Sequence, residues 1–187
     1  IDGMNDGGEG INAGAAVGKR GSIESGNKNG VNMSTVLGVI EMCYGDTGLL
    51  LSMPRQGLGN SAIAAVANDE QLQRFKGTWA AMAITESGCG SDSAAIRTTA
   101  TKDGNDYILN GEKIFVTSGE RADAVVVWAT LDKKLGRAAI KSFVVPKGTA
   151  GMKIERLEHK LGIKASDTAV ISFIDCRVPA ENLLGHA

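Results

Sequence analysis

The sequence predicts an α+β fold in which a partial N-terminal all-α helical domain is followed by a small antiparallel β-barrel. Apolar residues recur three and four positions apart up to Trp79, and beyond it the period becomes twofold, as in strands. Turn residues then separate short strand-like segments at close spacing, which favours a barrel or sandwich. We therefore expect a loop or disordered region at residues 1–30, the helical domain at 31–79 and the barrel at 80–187.

The helical domain contains four predicted helices. Apolar residues from Met33 to Tyr44 line one face of the first helix, and Pro54 limits the second. Asn68-Asp69 breaks the third, and the fourth has acidic residues early and basic residues late, which complements the helix dipole. The predicted bounds are 31–45, 46–51, 57–68 and 69–75.

The barrel contains a series of short predicted strands bounded by turn residues. Asn110-Gly111 is a strong hairpin signal, so we expect it to separate the second strand from the third. Residues 178–184 then lead out of the barrel. The predicted strand bounds are 96–102, 106–110, 112–118, 124–130, 141–145, 152–157 and 168–175.

The composition excludes several classes of protein. Apolar residues make up 43% of the chain, charged residues 22%, and the net charge is -1, so neither nucleic acid nor an acidic membrane surface is an expected partner. Cys43, Cys89 and Cys176 are far apart in the sequence, and no histidine lies near them. We expect no disulfide, no metal site, no membrane span and a reducing compartment.

The seam between the helical and strand-like parts, residues 80–92, is the first candidate site. Gly88 and Gly90 let main-chain N–H groups approach a ligand closely, and Thr85 and Ser91 add short hydroxyls. A dinucleotide-binding Rossmann motif is excluded, because a strand rather than a helix follows these glycines. The plainer interpretation is a connecting turn in which Asp92 caps local N–H groups.

A second candidate lies at residues 113–119. Phe115 and Thr117 are two positions apart on a predicted strand and therefore share a face. Phe115 could cover a flat ring while Thr117 hydrogen-bonds its edge. An ordinary half-buried strand explains the same pattern.

Together these segments resemble the acyl-CoA dehydrogenase family. The pattern Thr-Glu-x-Gly-x-Gly-Ser-Asp at 85–92 is similar to that family's first signature, and Asn-Gly-x-Lys-x-Phe-Val-Thr at 110–117 to its flavin-contacting strand. Lys-Leu-Gly and Ser-Asp-Thr within 160–168 resemble the end of its middle domain, as do residues 178–185. Four motifs occur in the family's order, and the resemblance extends from about residue 31 to 185.

The resemblance implies an architecture, a cofactor and a reaction. Family members have an N-terminal helical domain, a middle β-barrel and a C-terminal helical domain, with FAD between the last two. They dehydrogenate acyl-CoA thioesters at the α and β carbons, as in fatty-acid β-oxidation, and pass electrons to an electron-transfer flavoprotein. We expect a homo-oligomer, dimer or tetramer, that is cytoplasmic if bacterial and in the mitochondrial or peroxisomal matrix if eukaryotic.

The resemblance also implies roles for individual residues. The base is a glutamate of the C-terminal domain, so we expect no catalytic residue in this sequence and no turnover by it alone. Ser87 stands where relatives have proline, and Phe115 where many have tryptophan. The implied substrate-binding residues are Ser91, Arg137, Leu50 and Pro54. The implied FAD-binding residues are Met82, Ile84, Thr85, Gly90, Ser91, Phe115, Val116 and Thr117.

Two rival interpretations remain open at this point. One is a non-catalytic assembly or interaction module that keeps the barrel without the chemistry. The other is an acyl-CoA oxidase, which passes electrons to oxygen.

Overall fold

The computed structural model describes residues 31–53 and 58–185, so Pro54 and the predicted loop at 1–30 lie outside the described residues. The described part confirms the α+β class: helices come first and a strongly curled sheet follows. The helices are α1 (Val31–Ser52), α2 (Leu58–Val66) and α3 (Asp69–Arg74). The strands are β1 (Ala80–Ala83), β2 (Thr99–Asp103), β3 (Asp106–Thr117), β4 (Ala124–Thr130), β5 (Ile140–Pro146), β6 (Met152–Leu157) and β7 (Thr168–Pro179).

Helix α1 consists of two helical segments that meet at a kink. Asp46 has non-helical dihedral angles, φ -166° and ψ 114°, and its Oδ1 accepts a hydrogen bond from the Leu49 amide at 2.8 Å. An aspartate that caps the N–H three residues later begins a new helix. The predicted boundary at residue 46 is therefore confirmed.

Helix α3 begins with reciprocal hydrogen bonds that also reach the end of the chain. The Asn68 side chain accepts from the Gln71 amide at 2.9 Å, and the Gln71 side chain accepts from the Asn68 amide at 3.2 Å. This capping box satisfies donors that the helix start leaves free. The Gln71 amide group also donates to the carbonyl of Leu183 at 2.6 Å, which ties the helices to the segment after β7.

The apolar face predicted for α1 is exposed. Tyr44 is 93% exposed, and the other large side chains of this face are more than half exposed. The buried core therefore lies in and around the sheet, whereas this face of α1 is largely exposed in the described part of the chain. Its other members are Met33, Val36, Leu37 and Ile40.

The sheet is mixed rather than wholly antiparallel, which corrects the predicted strand arrangement. Strand β4 pairs with β1 and then with β2 along one edge, and with β5 along the other. From β2 the sheet continues in the order β3-β7-β6. Strand β1 runs parallel to β4, and Thr99 of β2 forms a parallel pair with Thr130 at the end of β4. The remaining pairings, β2–β3, β3–β7, β4–β5 and β6–β7, are antiparallel.

Strand β4 is buried on both faces, which explains its continuous apolar sequence. Val125 and Val127 lie in the cluster inside the curl, together with Phe143 and Phe173. Val126 points the other way, into a cluster that includes Ile63 of α2. Helix α2 is thus held against the outer face of β4.

The predicted hairpin at Asn110-Gly111 is wrong. Residues 106–117 form one strand, β3, paired with β7, with a register shift between Leu109 and Gly111. The Asn110 side chain bonds Asp175 of β7 instead of closing a turn. Gly111 has φ 153°, and a Cβ there would lie 2.7 Å from the Thr98 Cα. The glycine provides clearance for Thr98 at a β-bulge.

Candidate functional site

The Gly/Ser loop, residues 84–98, leaves the sheet between β1 and β2. Both strands pair with the same edge of β4, so the loop begins and ends beside that strand. Its first turn is closed by two hydrogen bonds between the backbones of Glu86 and Cys89, at 3.0 and 3.1 Å. A 3-10 turn, Ser93–Ala95, follows.

Glu86 is the carboxylate that holds this loop together. Its side chain accepts hydrogen bonds from the amides of Arg97 and Thr98, at 2.6 and 2.9 Å, and from the Thr98 hydroxyl at 2.6 Å. Asp92, which the plainer interpretation predicted to cap local N–H groups, makes no side-chain capping bond to the 3-10 turn. The loop is therefore closed by Glu86 at its base.

Lys113 of β3 completes this arrangement. Its Nζ lies 2.8 Å from Glu86 Oε1 and 3.1 Å from the carbonyl oxygen of Ile84, and its side chain is fully buried. Burial lowers the pKa of Lys113, against the opposing effect of Glu86. For Glu86, burial alone raises the pKa, but hydrogen bonds from Lys113, Thr98 and Arg97 outweigh it and leave the pKa below its usual value.

The two segments predicted to form one site are joined through their backbones. The Ile114 amide donates to the carbonyl oxygen of Thr85 at 2.9 Å, and Phe115 follows Ile114 directly. Both Thr85 and Ile114 are half-buried. The structure thus brings the start of the Gly/Ser loop beside the Phe-Val-Thr segment.

The Phe-Val-Thr segment has an unusual backbone. A register shift lies between Lys113 and Val116, and Phe115 has φ 57°, a conformation rare for an aromatic residue. Phe115 is 60% exposed, whereas Val116 is buried in the core. Thr117 is exposed as well, so the expected alternation is present and Phe115 is presented to open space.

The turn at residues 88–91 also faces open space. Gly88, Gly90 and Ser91 are exposed, and a Cβ added to either glycine would meet nothing within 4 Å. In the part of the chain that the structure describes, the amides of these three residues donate to no protein acceptor. Free main-chain donors in a loop whose start is bonded to the residue before an exposed aromatic ring fit a flat, acceptor-rich cofactor that carries phosphates.

The remaining predicted site residues differ in their surroundings. Met82 and Ile84 are half-buried at the end of β1. Arg137 is exposed on the turn Lys133–Ala139, which lies against Ser93–Ala95 of the Gly/Ser loop. Leu50 is buried on the second segment of α1.

The surroundings of Leu50 differ from those of the Gly/Ser loop. Gly48, two residues before Leu50 in the sequence, lies against Ile163 and Ala165. The carbonyl oxygen of Ser52, two residues after it, accepts a hydrogen bond from Arg121. None of these residues belongs to residues 84–98. Pro54 lies outside the described residues.

The described residues contain no group of His, Cys, Asp and Glu side chains that could hold a metal ion. None of the described helices is both long and apolar enough to cross a bilayer.

The residues that organise the site, Glu86, Lys113 and Thr98, were not predicted to do so. One signal in the sequence was available: with the twofold period of a strand, Lys113 falls on the same face as the apolar residues Tyr107 and Leu109. A lysine at such a position needs a partner of opposite charge, and Glu86 lies in the other candidate segment.

Residues 81–176 match the family model of the acyl-CoA dehydrogenase middle domain. The chain belongs to the acyl-CoA dehydrogenase family. It is 37% identical, over 172 residues, to a short-chain specific acyl-CoA dehydrogenase of Clostridium acetobutylicum, covering 88% of this chain and 45% of that relative. The predicted family is therefore confirmed.

Two solved structures have the same fold as this chain. Butyryl-CoA dehydrogenase from Megasphaera elsdenii superimposes with a TM-score of 0.75 at 34% identity, covering 91% of this chain and 47% of the other. An FAD-dependent dehydrogenase superimposes with a TM-score of 0.76 at 32% identity, covering 82% and 44%. The chain spans less than half the length of each of these relatives.

Proposed function

We propose that this chain forms the FAD-binding and acyl-CoA-facing part of an acyl-CoA dehydrogenase, with residues 31–79 from its helical domain and 80–187 from its middle domain. The observation that carries the proposal is the backbone bond between Thr85 and Ile114. It joins a turn rich in free donors to a strand that presents an exposed aromatic ring. When bound, FAD supplies the acceptor for the two electrons that an acyl-CoA thioester loses on α,β-dehydrogenation.

Phe115, Thr85 and Thr117 are the residues that we assign to the flavin ring. The exposed ring of Phe115 can stack on a flat heterocycle. The hydroxyls of Thr85 and Thr117 can donate hydrogen bonds to its edge, and such donors stabilise negative charge on a reduced ring. Met82 and Ile84 supply apolar surface beside them, while Val116, buried in the core, can contribute only its backbone.

The turn at 88–91 is assigned to the polar part of the cofactor. The free amides of Gly88, Gly90 and Ser91 can bind phosphate or ribityl oxygens, as oriented main-chain N–H groups do at other anion sites. The exposed hydroxyl of Ser91 can also contact the acyl-CoA.

Arg137 and Leu50 are assigned to the substrate with different support. Arg137 is exposed and stands on a turn beside the Gly/Ser loop, where a guanidinium can bind a CoA phosphate. Leu50, and Pro54 beyond the described residues, would line the acyl pocket, although Gly48, two residues before Leu50, lies against Ile163 and Ala165 rather than against the Gly/Ser loop. No residue of this chain is assigned as the base, so we expect no turnover by the chain alone.

Binding of FAD tests the proposal. FAD is titrated, by quenching of its fluorescence, into the 187-residue chain and into the same chain joined to the C-terminal half of the Clostridium acetobutylicum relative. We expect Phe115→Ala to raise the Kd about tenfold through loss of ring stacking. Ile174→Ala is the matched control, because Ile174 is 66% exposed on β7 and has no assigned role.

Two results would count against the proposal. Failure of both proteins to bind FAD would exclude the cofactor, and would favour a non-catalytic assembly module. Equal Kd values for the wild type and Phe115→Ala would exclude the assigned stacking. If the joined protein turns over butyryl-CoA, reduction of an electron-transfer flavoprotein is expected, whereas oxygen consumption without it would identify an oxidase.

A further inference from the structure

Lys113 is among the largest fully buried side chains in the described part of the chain, and its charge is paired with Glu86. Taking two charges out of water is expensive, and a buried ion pair is weak evidence for added stability. The proposed flavin contacts use neither side chain. The pair therefore needs an explanation in terms of the geometry that it specifies.

We propose that Glu86 and Lys113 are positioning residues, which hold the 88–91 turn and the Phe-Val-Thr segment at a fixed separation before any cofactor binds. This inference rests on the proposed function, since it concerns the same flavin site. Neither side chain contacts the cofactor in this proposal. Both act through the backbone of the residues that do.

The first support is a run of bonds between two short segments. Lys113 Nζ bonds the carbonyl of Ile84 and the carboxylate of Glu86, which are the residues on either side of Thr85. The Thr85 carbonyl itself accepts from the Ile114 amide. Three consecutive loop residues are thus bonded to two consecutive residues of β3, so Thr85 cannot shift along the strand without breaking all of these bonds.

The second support is at the other end of the loop. The Glu86 carboxylate also accepts from the amides of Arg97 and Thr98, immediately before β2. One side chain therefore closes the loop, and the 88–91 turn lies inside the closed segment. Gly111 leaves room for Thr98 to approach β3, so the Thr98 hydroxyl and Lys113 both reach Glu86 Oε1.

The third support is the position of Lys113 relative to Phe115. Lys113 is the last residue that pairs in register with β7 before the shift that leads into Phe115. Fixing Lys113 to the loop therefore sets the distance from the loop to the strained residue that presents its ring. The geometry of the site then depends on the Glu86–Lys113 pair, although both side chains are buried.

Hydrogen exchange of the cofactor-free chain tests this directly. The variants are Glu86→Gln, Lys113→Met and the double variant. The matched control is Lys153→Met, because Lys153 and Glu155 form an ion pair of the same 2.8 Å length on β6, where the lysine is 71% exposed. Exchange is compared between the Arg97 and Thr98 amides of the loop and the amides of β4 and β5, which report on the core.

We expect Glu86→Gln to speed exchange of the two loop amides about tenfold, because loss of the buried charge weakens the bonds that protect them. Exchange in β4 and β5 should stay within about twofold of the wild type, because local opening need not involve the core. Lys153→Met should change neither set. Lys113→Met leaves the Glu86 charge buried without its partner, so exchange of the loop amides in the double variant should be no faster than in this single variant.

Two exchange results would overturn the inference. One is unchanged protection of the Arg97 and Thr98 amides in Glu86→Gln. The other is loss of protection in the same proportion in the loop and in β4 and β5, in every variant, because the pair would then only stabilise the core. If Lys113→Met does not fold, Glu86→Gln and the double variant still decide between these results.

A titration with FAD supplies the readout that a merely structural pair would not change. We expect Glu86→Gln to raise the Kd for FAD about tenfold, because binding must then order the loop. Faster exchange of the loop amides in Glu86→Gln, together with an unchanged Kd for FAD, would also overturn the positioning role. If neither the chain nor the protein joined to the C-terminal half binds FAD, the proposed function fails, whereas the exchange experiment still shows whether the pair orders the loop.

Discussion

Gly111 and Thr98 are in closer contact than any other residue at position 111 would allow. A Cβ on Gly111 would lie 2.7 Å from the Thr98 Cα and 2.8 Å from its Cβ. This contact seats the end of the Gly/Ser loop on β3. It also explains why the chain does not turn back at Asn110-Gly111: the glycine lets Thr98 approach β3 and does not form a turn.

Replacing Gly111 should therefore destabilise the protein through a steric clash. We expect Gly111→Ala to lower the free energy of unfolding by about 2–3 kcal/mol, because overpacking of a close backbone contact adds to an unfavourable φ. Urea unfolding measures the change. Gly104→Ala is the control: Gly104 has φ 60° with nothing near its Cβ position, so only about 1 kcal/mol is expected. Equal costs at the two positions would contradict the clash.

The contact between α2 and β1 makes a second steric prediction. A Cβ on Gly59 would lie 2.5 Å from the Ala80 carbonyl oxygen and would also meet the carbonyl oxygen of Ala81. We expect Gly59→Ala to cost about 1–3 kcal/mol in unfolding free energy, because the helix must move off the strand. In α1, Gly38→Ala meets no atom and should be stabilising because alanine favours helix. A neutral Gly59→Ala would show that α2 is loosely held.

The Glu86 carboxyl predicts how stability changes in acid. Its pKa is lower in the folded protein than the ordinary value of 4.5, so the unfolded chain binds the proton more readily. The contribution of Glu86 to stability is therefore present above pH 4.5 and is lost as the pH falls through the folded-state pKa. Thermal melting across this range should show that the Tm falls more steeply with decreasing pH in the wild type than in Glu86→Gln.

Glu155→Gln is the control for this pH dependence. The pKa of Glu155 is also lowered, mainly by Lys153 and then by Ser172, but its lysine partner is exposed and the pair is screened by water. Its acid profile should follow the wild type. If the Glu86→Gln and wild-type profiles are parallel, Glu86 does not carry the effect.

The cysteines should differ in reactivity. Cys176 is fully buried, and burial raises the pKa of its thiol to about 11, so little thiolate forms near neutral pH. Cys43 is only partly buried on α1. Iodoacetamide followed by peptide mass spectrometry should label Cys43 in the native protein and Cys176 only after urea is added. Native labelling of Cys176 at a similar rate would contradict its burial.

Much of the fold was predictable because it depends on neighbours in the sequence. The helix boundaries at Asp46 and Asn68 follow from capping bonds that join residues three apart. The bounds of β4 and β6 were predicted correctly, since apolar content and period are local properties. The family was recognisable for a related reason: its motifs are short, and their order survives in the sequence.

The sequence by itself determined the α+β class, the helix starts, most strand positions and the two segments that carry the candidate site. Only the tertiary structure decided that β1 runs parallel to β4, that Asn110-Gly111 lies within a strand at a register shift against β7, and that Glu86 rather than Asp92 organises the loop. Each of these depends on a partner distant in the chain, as Glu86 and Lys113 are, 27 residues apart. Local propensity cannot specify such a partner, because packing and the cost of an unpaired buried charge select it only when the strands assemble.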